Sequence, residues 1–324
     1  MQTFRRRSIL LACAGVLFGA SAMAESYPSR PVKILVPFPA GGSNDIVARV
    51  LAQKLSERTG QSFYVENRGG AGGNIGAEAV ASADPDGYTL LLTAPPPLTN
   101  NAALYKELRY DPTTAFAPVS LIASVPIVLA VNPSVEARNV SELIAIAKAK
   151  PGSLSFGSSG NGSTNHLAGE LLKSMTGIDI LHIPYKGAGP AMNDLVAGHI
   201  PMMFDNMPAV LPQVKGKNIN AIAVAGAKRA SALPDVPTVA ESGVPGFEAS
   251  AWFGLVAPAK TPAPVLAKLE GDIAAILNMP EVQKRFDELG AEPGAVSGAA
   301  FGKFLADETT KWTKIIRESG AKVD

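Results

Sequence analysis

The stretch Pro37-Phe38-Pro39-Ala40-Gly41-Gly42-Ser43-Asn44-Asp45 decides the fold that this sequence predicts. It follows the apolar, β-rich run 32–36 and precedes a segment in which Val47, Leu51 and Leu55 recur at helical spacing. A strand, a glycine-serine loop and a helix in that order are the first part of a β-α-β unit.

This first loop is expected to bind an anion through its backbone. The first N–H groups of a helix have no partner within the helix, and the helix dipole places positive charge at the same end. Ser43 is expected to cap the helix, and Asp45 to lie in its first turn, where a carboxylate is favoured. Gly60 is expected to end the helix.

A second loop repeats the plan. Phe156-Gly157-Ser158-Ser159-Gly160-Asn161-Gly162-Ser163-Thr164-Asn165-His166 follows the predicted strand 153–156 and leads into the predicted helix 164–175. The residues of both loops also suit turn geometry alone. Two such loops at strand ends are better explained as one anion-binding loop in each of two lobes.

Strand and helix patterns alternate along the rest of the chain, which predicts an α/β fold with doubly wound, mostly parallel sheets. Ligands of open α/β sheets bind beyond the carboxyl ends of the strands, so two facing lobes would form a cleft. The other predicted strands are 62–66, 88–92, 127–131, 180–183, 201–204, 219–224 and 251–257. The other predicted helices are 74–83, 140–150, 188–197 and 208–214; residues 230–249 are predicted to be an irregular loop, and the chain after Pro262 to be helical.

Residues 1–24 have the three parts of a signal peptide, which predicts export to the periplasm. These parts are Arg5-Arg6-Arg7, the apolar run 9–20 and the small-residue site Ala22-Met23-Ala24. The run Arg6-Arg7-Ser8-Ile9-Leu10 leaves the twin-arginine and the general export routes both open.

Cleavage after Ala24 changes the charge balance. The count of Lys and Arg falls from 29 to 26 against 28 Asp and Glu, so the net charge becomes −2. A chain without basic excess is not expected to bind nucleic acid. The single cysteine, Cys13, is lost too, which excludes a disulfide or a catalytic thiolate in the mature chain.

The catalytic and cofactor-binding motifs that this sequence suggests are incomplete. The run Gly157-Ser158-Ser159-Gly160-Asn161 lacks the last glycine of a nucleophile elbow, and residues 160–165 lack the last glycine of a dinucleotide fingerprint. His166, His182 and His199 have no metal-like spacing, and the loop serines have no evident base partner. We therefore predict no catalytic residue, no metal and no cofactor, and we interpret the serines as hydrogen-bond donors.

The histidines are assigned by their positions. His166 lies in the first turn of a predicted helix, where it could contact a ligand or pack the loop. His182 lies in an apolar strand and is expected to be buried with a partner, whereas His199 is expected to face solvent.

Other strand ends should line the same cleft. Tyr185 could stack on a ligand and Lys186 could pair with a second carboxylate, although both could also be ordinary surface residues. Asp205 could bind a ligand amine or hydroxyl, or anchor its loop. Trp252-Phe253 could be core or cleft wall, and the stiff run Thr93-Ala94-Pro95-Pro96-Pro97 predicts a weakly charged part of the pocket.

Taken together, these motifs resemble the Bug family of periplasmic solute receptors, the substrate-binding components of tripartite tricarboxylate transporters. The resemblance covers essentially the whole mature chain. It is carried by 37–45, by Glu66-Asn67-Arg68-Gly69-Gly70-Ala71-Gly72-Gly73-Asn74-Ile75-Gly76, by 157–160, by Tyr185-Lys186-Gly187 and by Gly198-His199-Ile200-Pro201-Met202-Met203-Phe204-Asp205. Family members often have proline at the position of Gly69.

The resemblance implies a two-lobed, type II periplasmic-binding-protein fold with the ligand cleft between the lobes. Residues 25–126 and 250–324 would form one lobe, and residues 127–249 the other. The implied activity is capture of a small organic carboxylate (a di- or tricarboxylate, an amino acid or an aromatic acid) by a monomer that serves integral membrane transporter subunits. An exported serine-dependent hydrolase and a sensor for a signalling partner are the alternatives.

The resemblance also implies the ligand-binding residues, to which Thr93 is added here as part of the variable wall. They are Phe38, Ala40, Gly41, Gly42, Asp45, Thr93, Ser158, Ser159, Ser163, Thr164, His166, Tyr185 and Asp205.

Overall fold

The computed structural model describes residues 27–319 and residue 323. The predicted signal peptide, residues 1–24, lies outside the described residues. No helix in the described part of the chain is both long enough and apolar enough to span a bilayer.

The strands match the predicted α/β pattern, with ends that differ by a few residues. They are β1 (Val32–Val36), β2 (Phe63–Asn67), β3 (Thr89–Thr93), β4 (Phe116–Val131), β5 (Leu154–Ser158), β6 (Ile180–Pro184), β7 (Met202–Asn206), β8 (Asn220–Val224), β9 (Ser250–Pro258) and β10 (Glu292–Pro293).

The helices include every one that the sequence predicts. They are α1 (Ser43–Thr59), α2 (Asn74–Ala81), α3 (Asn101–Leu104), α4 (Val140–Ala149), α5 (Thr164–Thr176), α6 (Ala188–Ala197), α7 (Met207–Lys215), α8 (Ala263–Leu277), α9 (Pro280–Leu289) and α10 (Gly298–Ser319). Gly60 ends α1 in the left-handed conformation, as predicted (φ 72°).

Two predictions about these elements are wrong. The strand predicted at 127–131 is the last part of the much longer β4. Two prolines interrupt the sequence pattern of this strand, and of these Pro118 lies beside a register shift while Pro126 pairs with Ser250. The chain after Pro262 is not helical throughout, since β10 pairs with β4. β3 ends at Thr93, and a π-helical turn (Pro96–Asn100) and α3 follow the proline run.

The sheet has two parallel ends joined through antiparallel strands. Its strand order is β2-β1-β3-β9-β4-β7-β5-β6, with β8 and β10 also paired to β4. β1 pairs in parallel with β2 and β3, and β5 pairs in parallel with β6 and β7. This arrangement puts the carboxyl ends of β1 and β5, and the loops that follow them, on either side of the antiparallel centre.

The long strand β4 belongs to both ends of the sheet. Its first part, through Pro126, pairs with β9, and its second part, from Ile127, pairs with β7 and β8. The same apolar core continues across this change, from Leu51 and Leu90 at one end to Phe156 and Phe204 at the other. β4 and β9 therefore form the covalent and packed connection between the two loop-bearing ends.

The helix that carries the second loop sits unusually close to its strand. A Cβ at Gly169 of α5 would collide with the ring of the fully buried Phe156 in β5. We expect Gly169→Ala to lower the free energy of unfolding by about 1–3 kcal/mol through overpacking, although alanine is the better helix former.

Gly271→Ala in α8 is the matched control. No heavy atom lies within 4 Å of a Cβ built there, so we expect a gain of about 0.5–1 kcal/mol from helix propensity alone. Urea denaturation measures the free energy of unfolding of both variants. Equal effects of the two substitutions would contradict the close α5–β5 contact.

Candidate functional site

The two glycine-serine loops converge on one narrow cleft, whose free volume is about 40 Å³. Its lining comes from both ends of the sheet, from the segment after β3 and from β9 in the centre. The lining residues are Phe38, Pro39, Gly42, Ser43, Asn44, Ala94, Pro96, Ser159, Ser163, Thr164, Asn165, Ala188, Asn206, Ala251 and Phe253. The N-termini of α1 and α5 therefore face one space, as the paired loops predicted.

The first loop is held from behind by Asp45. Its Oδ2 accepts from the Gly41 N–H and from Arg49 Nε, both at 3.0 Å. Its Oδ1 accepts from Asn67 Nδ2 at 3.0 Å, and the same amide donates to Phe38 O. Burial opposes ionisation, but the hydrogen bonds from Arg49, Gly41 and Asn67 hold the pKa of Asp45 below its ordinary value. Asp45 thus fixes the loop, and its charge is compensated away from the cleft.

Ser43 is not the cap that the sequence predicted. Gly42 takes the extended capping conformation (φ −78°, ψ 164°), and Ser43 is the first residue inside α1. The Ser43 side chain is buried against the cleft, and within residues 27–319 its Oγ has no hydrogen-bond partner. A buried hydroxyl without a partner is costly, so this group is available to a ligand.

Asn44 fastens the start of α1 to the end of β3. In the amide orientation that satisfies both groups, its side chain donates to Leu92 O at 3.0 Å and accepts from the Ala94 N–H at 2.9 Å. These two hydrogen bonds link the start of α1 to the wall after β3.

The second loop is closed by its own side chains. Ser163 caps α5 by accepting from the His166 N–H at 3.1 Å. His166 in turn accepts from the Gly162 N–H through Nδ1 at 3.1 Å. The structure places His166 in loop packing, and its ring does not line the cleft.

Behind this loop, Ser158 and two histidines form a stack. Ser158 Oγ lies 2.7 Å from His182 Nε2, and the ring centroids of His182 and His166 are 3.9 Å apart. Burial, followed by the proximity of His166, lowers the pKa of His182 to about 3, and burial also lowers the pKa of His166. Both rings are therefore neutral near pH 7. Ser158 has a base partner that sequence reasoning missed, but it is fully buried.

Asp205, at the end of β7, positions the remaining polar residues of the cleft wall. It is fully buried, and its Oδ1 accepts from Asn165 Nδ2 and from the Asn206 N–H, both at 2.8 Å. Burial raises the pKa of Asp205 to about 7 in spite of these two hydrogen bonds. Asn165 and Asn206 line the cleft, so Asp205 positions them as the loop anchor that the sequence left open.

The predicted site residues separate into two groups. Those that line the cleft are Phe38, Gly42, Ser159, Ser163 and Thr164. Those that lie outside its lining are Ala40, Gly41, Asp45, Thr93, Ser158, Tyr185, His166 and Asp205.

The sequence analysis missed several residues that line the cleft. Ser43 was assigned only to capping, and Asn44, Asn165 and Asn206 adjoin predicted residues without having been chosen. On β9 Trp252 packs in the core and donates to Glu308, while the adjacent Phe253 lines the cleft. Alternation along the strand could have separated these two, but only once the buried face was known.

A wider outer cavity of about 680 Å³ shares the lining residues Phe38, Pro39 and Ser159 with the cleft. Its other lining residues are Gly69, Gly70, Ala71, Gly72, Gly73, Tyr105, Gly160, Asn161, Pro184, Tyr185, Lys186 and Val323. Tyr185 Oη donates to Asp194 Oδ2 at 2.6 Å, so its hydroxyl is already used. His199, which follows the C-terminal end of α6, is exposed as predicted.

Comparison with known proteins identifies relatives along nearly the whole chain. A family model described as "Tripartite tricarboxylate transporter family receptor" matches residues 47–321. The chain is similar to Protein BugT of Bordetella pertussis, with 41% identity over 316 residues that cover 97% of this chain and 96% of the relative. These matches confirm the resemblance to the Bug family.

Solved structures agree with this relationship. One, described as R. palustris Rpa4515 with adipate, has a TM-score of 0.90 and 40% identity and covers 92% of this chain and 100% of its own. Another, MatC (Rpa3494) from Rhodopseudomonas palustris with bound malate, has a TM-score of 0.85 and 32% identity and covers 90% and 100%. The predicted two-lobed, type II periplasmic-binding-protein fold is confirmed by these likenesses.

The raised pKa of the buried Asp205 carboxyl predicts the direction in which the stability of the protein changes with pH. Between the ordinary pKa of about 4 and the native value of about 7, the unfolded chain ionises Asp205 while the native chain keeps it protonated. The favourable contribution of Asp205 to the free energy of unfolding is therefore fully present below about pH 4 and is lost as the pH rises to 7. We expect the stability of Asp205→Asn, relative to the wild type, to rise by roughly 1.4 kcal/mol per pH unit over that window.

Urea denaturation at pH 4, 5, 6, 7 and 8 measures this difference. Asp45→Asn is the control of opposite sign, because the pKa of Asp45 is lowered and its contribution is lost only as the pH falls. A stability difference for Asp205→Asn that does not change with pH would show that Asp205 is ionised in the native protein.

Proposed function

This chain belongs to the family of tripartite tricarboxylate transporter receptors, and from that premise we propose that it captures a small organic carboxylate and delivers it to a membrane transporter. The adipate and malate in the two related structures support the choice of ligand class. The observation that carries the proposal is the convergence of two helix N-termini on a cleft in which the buried Ser43 hydroxyl has no partner among the described residues.

Such a cleft suits an anion. The lining contains Ser and Thr hydroxyls and Asn amides, and none of its described residues carries a charge. Charge-assisted hydrogen bonds from backbone N–H groups and hydroxyls to a carboxylate are stronger than neutral ones. The two anchoring carboxyls oppose the ligand only weakly, since Asp45 is paired with Arg49 and burial raises the pKa of Asp205 to about 7, so that it is only partly ionised at neutral pH.

In the proposed mechanism the ligand holds two lobes together. We assign residues 25–126 and 250–324 to one lobe and 127–249 to the other. The change of pairing partner between Pro126 and Ile127 supports this boundary. The two units also touch across the cleft, where Asn100 Nδ2 donates to Gly162 O at 3.3 Å. A carboxylate bound by both loops would favour the closed state by its additional contacts.

The site residues divide by role. We propose that Phe38, Gly42, Ser43, Ser159, Ser163 and Thr164 contact the ligand. Ala40, Gly41, Asp45, Ser158, His166 and Asp205 would position the loops, and Thr93 and Tyr185 would shape the walls.

The location and partners follow from family and sequence together. Residues 1–24 support export, and the family is that of transporter receptors, so we propose a periplasmic monomer that docks on integral membrane transporter subunits. A sensor that presents the closed form to a signalling partner would use the same cleft. Capture of the transporter subunits or of a receptor kinase in a pull-down distinguishes the two roles.

We propose no enzymatic activity. The hydrolase alternative would use Ser158 and His182, which are 2.7 Å apart. A nucleophile must reach its substrate, and Ser158 is fully buried behind the loop. Hydrolysis of ester substrates that Ser158→Ala abolishes would overturn this part of the proposal.

Calorimetry with mono-, di- and tricarboxylates tests the proposed function. We expect Ser43→Ala to weaken carboxylate binding roughly ten-fold or more, because it removes one hydrogen bond to a charged group. Its melting temperature should stay near that of the wild type, since the hydroxyl has no partner among the described residues.

Ser174→Ala, an exposed position on α5, is the matched control and should bind as the wild type does. A correctly folded protein that binds none of these acids would refute the proposed function.

A further inference from the structure

Resting on the proposed function, we propose that His182 is a positioning residue for carboxylate capture, because it fixes the second glycine-serine loop through the hydroxyl of Ser158. His182 does not line the cleft and would not contact the ligand. It acts on the backbone on either side of Ser159, which does line the cleft. The observations that carry this inference are the hydrogen bonds around the Ser158 hydroxyl and the packing of the His182 ring.

The Ser158 hydroxyl has three polar contacts. Its Oγ lies 2.7 Å from His182 Nε2, accepts from the Gly160 N–H at 3.1 Å and lies 3.2 Å from Gly160 O. A hydroxyl has one proton to donate and can accept two hydrogen bonds. One arrangement therefore satisfies all three contacts: His182 Nε2–H donates to Ser158, and the Ser158 hydroxyl donates to Gly160 O.

This arrangement holds the backbone on both sides of Ser159. Ser158 O accepts from the Tyr185 N–H at 3.1 Å, and the N–H and C=O of Gly160 both bond to the Ser158 hydroxyl. A binding site needs its donors to be held close to the productive geometry by the groups behind them. Without the His182 donor the hydroxyl can turn away from Gly160 O, and the loop is less well fixed.

The His182 ring is itself fixed by packing on both faces. Its centroid lies 3.9 Å from that of His166 and 5.0 Å from that of Phe156, and it is inclined to them by 20° and 29°. His166 in turn accepts from the Gly162 N–H through Nδ1 at 3.1 Å. The stack therefore contacts the loop at two points, at its start through His182 and near its end through His166.

The hydrogen bonds also specify where the imidazole protons are. His166 Nδ1 is an acceptor, so the proton of the neutral ring is on Nε2, which lies 3.9 Å from Glu170 Oε1. Glu170 pairs with Lys173 at 3.0 Å, and burial lowers the pKa of both histidines. We therefore expect His166 and His182 to be neutral Nε2–H tautomers at neutral pH.

Heteronuclear NMR of the imidazole nitrogens tests this assignment in the wild type. The chain has three histidines, and the exposed His199 is an internal reference. We expect the signals of His182 to be those of the Nε2–H tautomer. The Nδ1–H tautomer at His182 would overturn the inference, because Ser158 would then have to donate to His182 and not to Gly160 O.

Calorimetry with adipate and with malate, the acids in the two related structures, measures the effect on capture. His182→Phe keeps an aromatic ring in the stack and removes the donor, and we expect it to weaken binding roughly ten-fold. His182→Gln keeps a side-chain N–H donor and should restore most of the loss. His199→Phe is the matched control at an exposed histidine and should bind as the wild type does.

A double-mutant cycle tests whether His182 acts through Ser158. Ser158→Ala should weaken binding by at least as large a factor as His182→Phe. Combining the two should add little to the loss, since both remove the same hydrogen bond. Losses that multiply in the double variant would show that His182 acts by another route, and would overturn the inference.

The outcomes separate this inference from the proposed function. Wild-type affinity in a folded His182→Phe protein, or a loss that His182→Gln does not restore, would overturn the inference and leave carboxylate capture intact. If His182→Phe does not fold, the tautomer of His182 in the wild type decides. Failure of the folded wild type to bind adipate, malate or any other of the mono-, di- and tricarboxylates would refute the proposed function, and this inference with it.

Discussion

The structure depends on one constraint: the unpaired N–H groups of two helix N-termini must face the same cleft while the loops that carry them stay fixed. Each loop is anchored by a carboxyl group that lies behind it. Asp45 is ionised and paired with Arg49, whereas Asp205 is fully buried and has a pKa raised to about 7. In both cases the negative charge that an incoming anion would meet is reduced, by an ion pair at Asp45 and by partial protonation at Asp205.

The order of elements was predictable because it is local. Strand, glycine-rich loop and helix follow from side-chain periodicity and from glycine at helix ends, as at Gly60. The errors occur where long-range pairing overrides local pattern. Pro118 and Pro126 argue against a strand in isolation, but β4 pairs with β9 from Phe116 to Pro126, with a register shift next to Pro118 and another after Leu121.

The sequence predicted which loops form the candidate site, but it did not predict which side chains of those loops face the cleft. Ser158 and Ser159 are adjacent, yet Ser159 lines the cleft and Ser158 is fully buried against His182. That pairing depends on the parallel register of β5 and β6, which places Phe156 opposite His182. No local signal specifies such a register, so the histidine stack and the partner of Ser158 emerge only from the folded sheet.

The proposed boundary between the lobes falls inside one continuous strand, where β4 exchanges β9 for β7 and β8 as pairing partners. Pro126 stands at this point and pairs with Ser250, and a proline contributes no N–H to the ladder. The ladder between β4 and β9 therefore lacks one N–H donor at the proposed boundary. A ligand that contacts groups on both sides of the cleft would shift the balance between open and closed states.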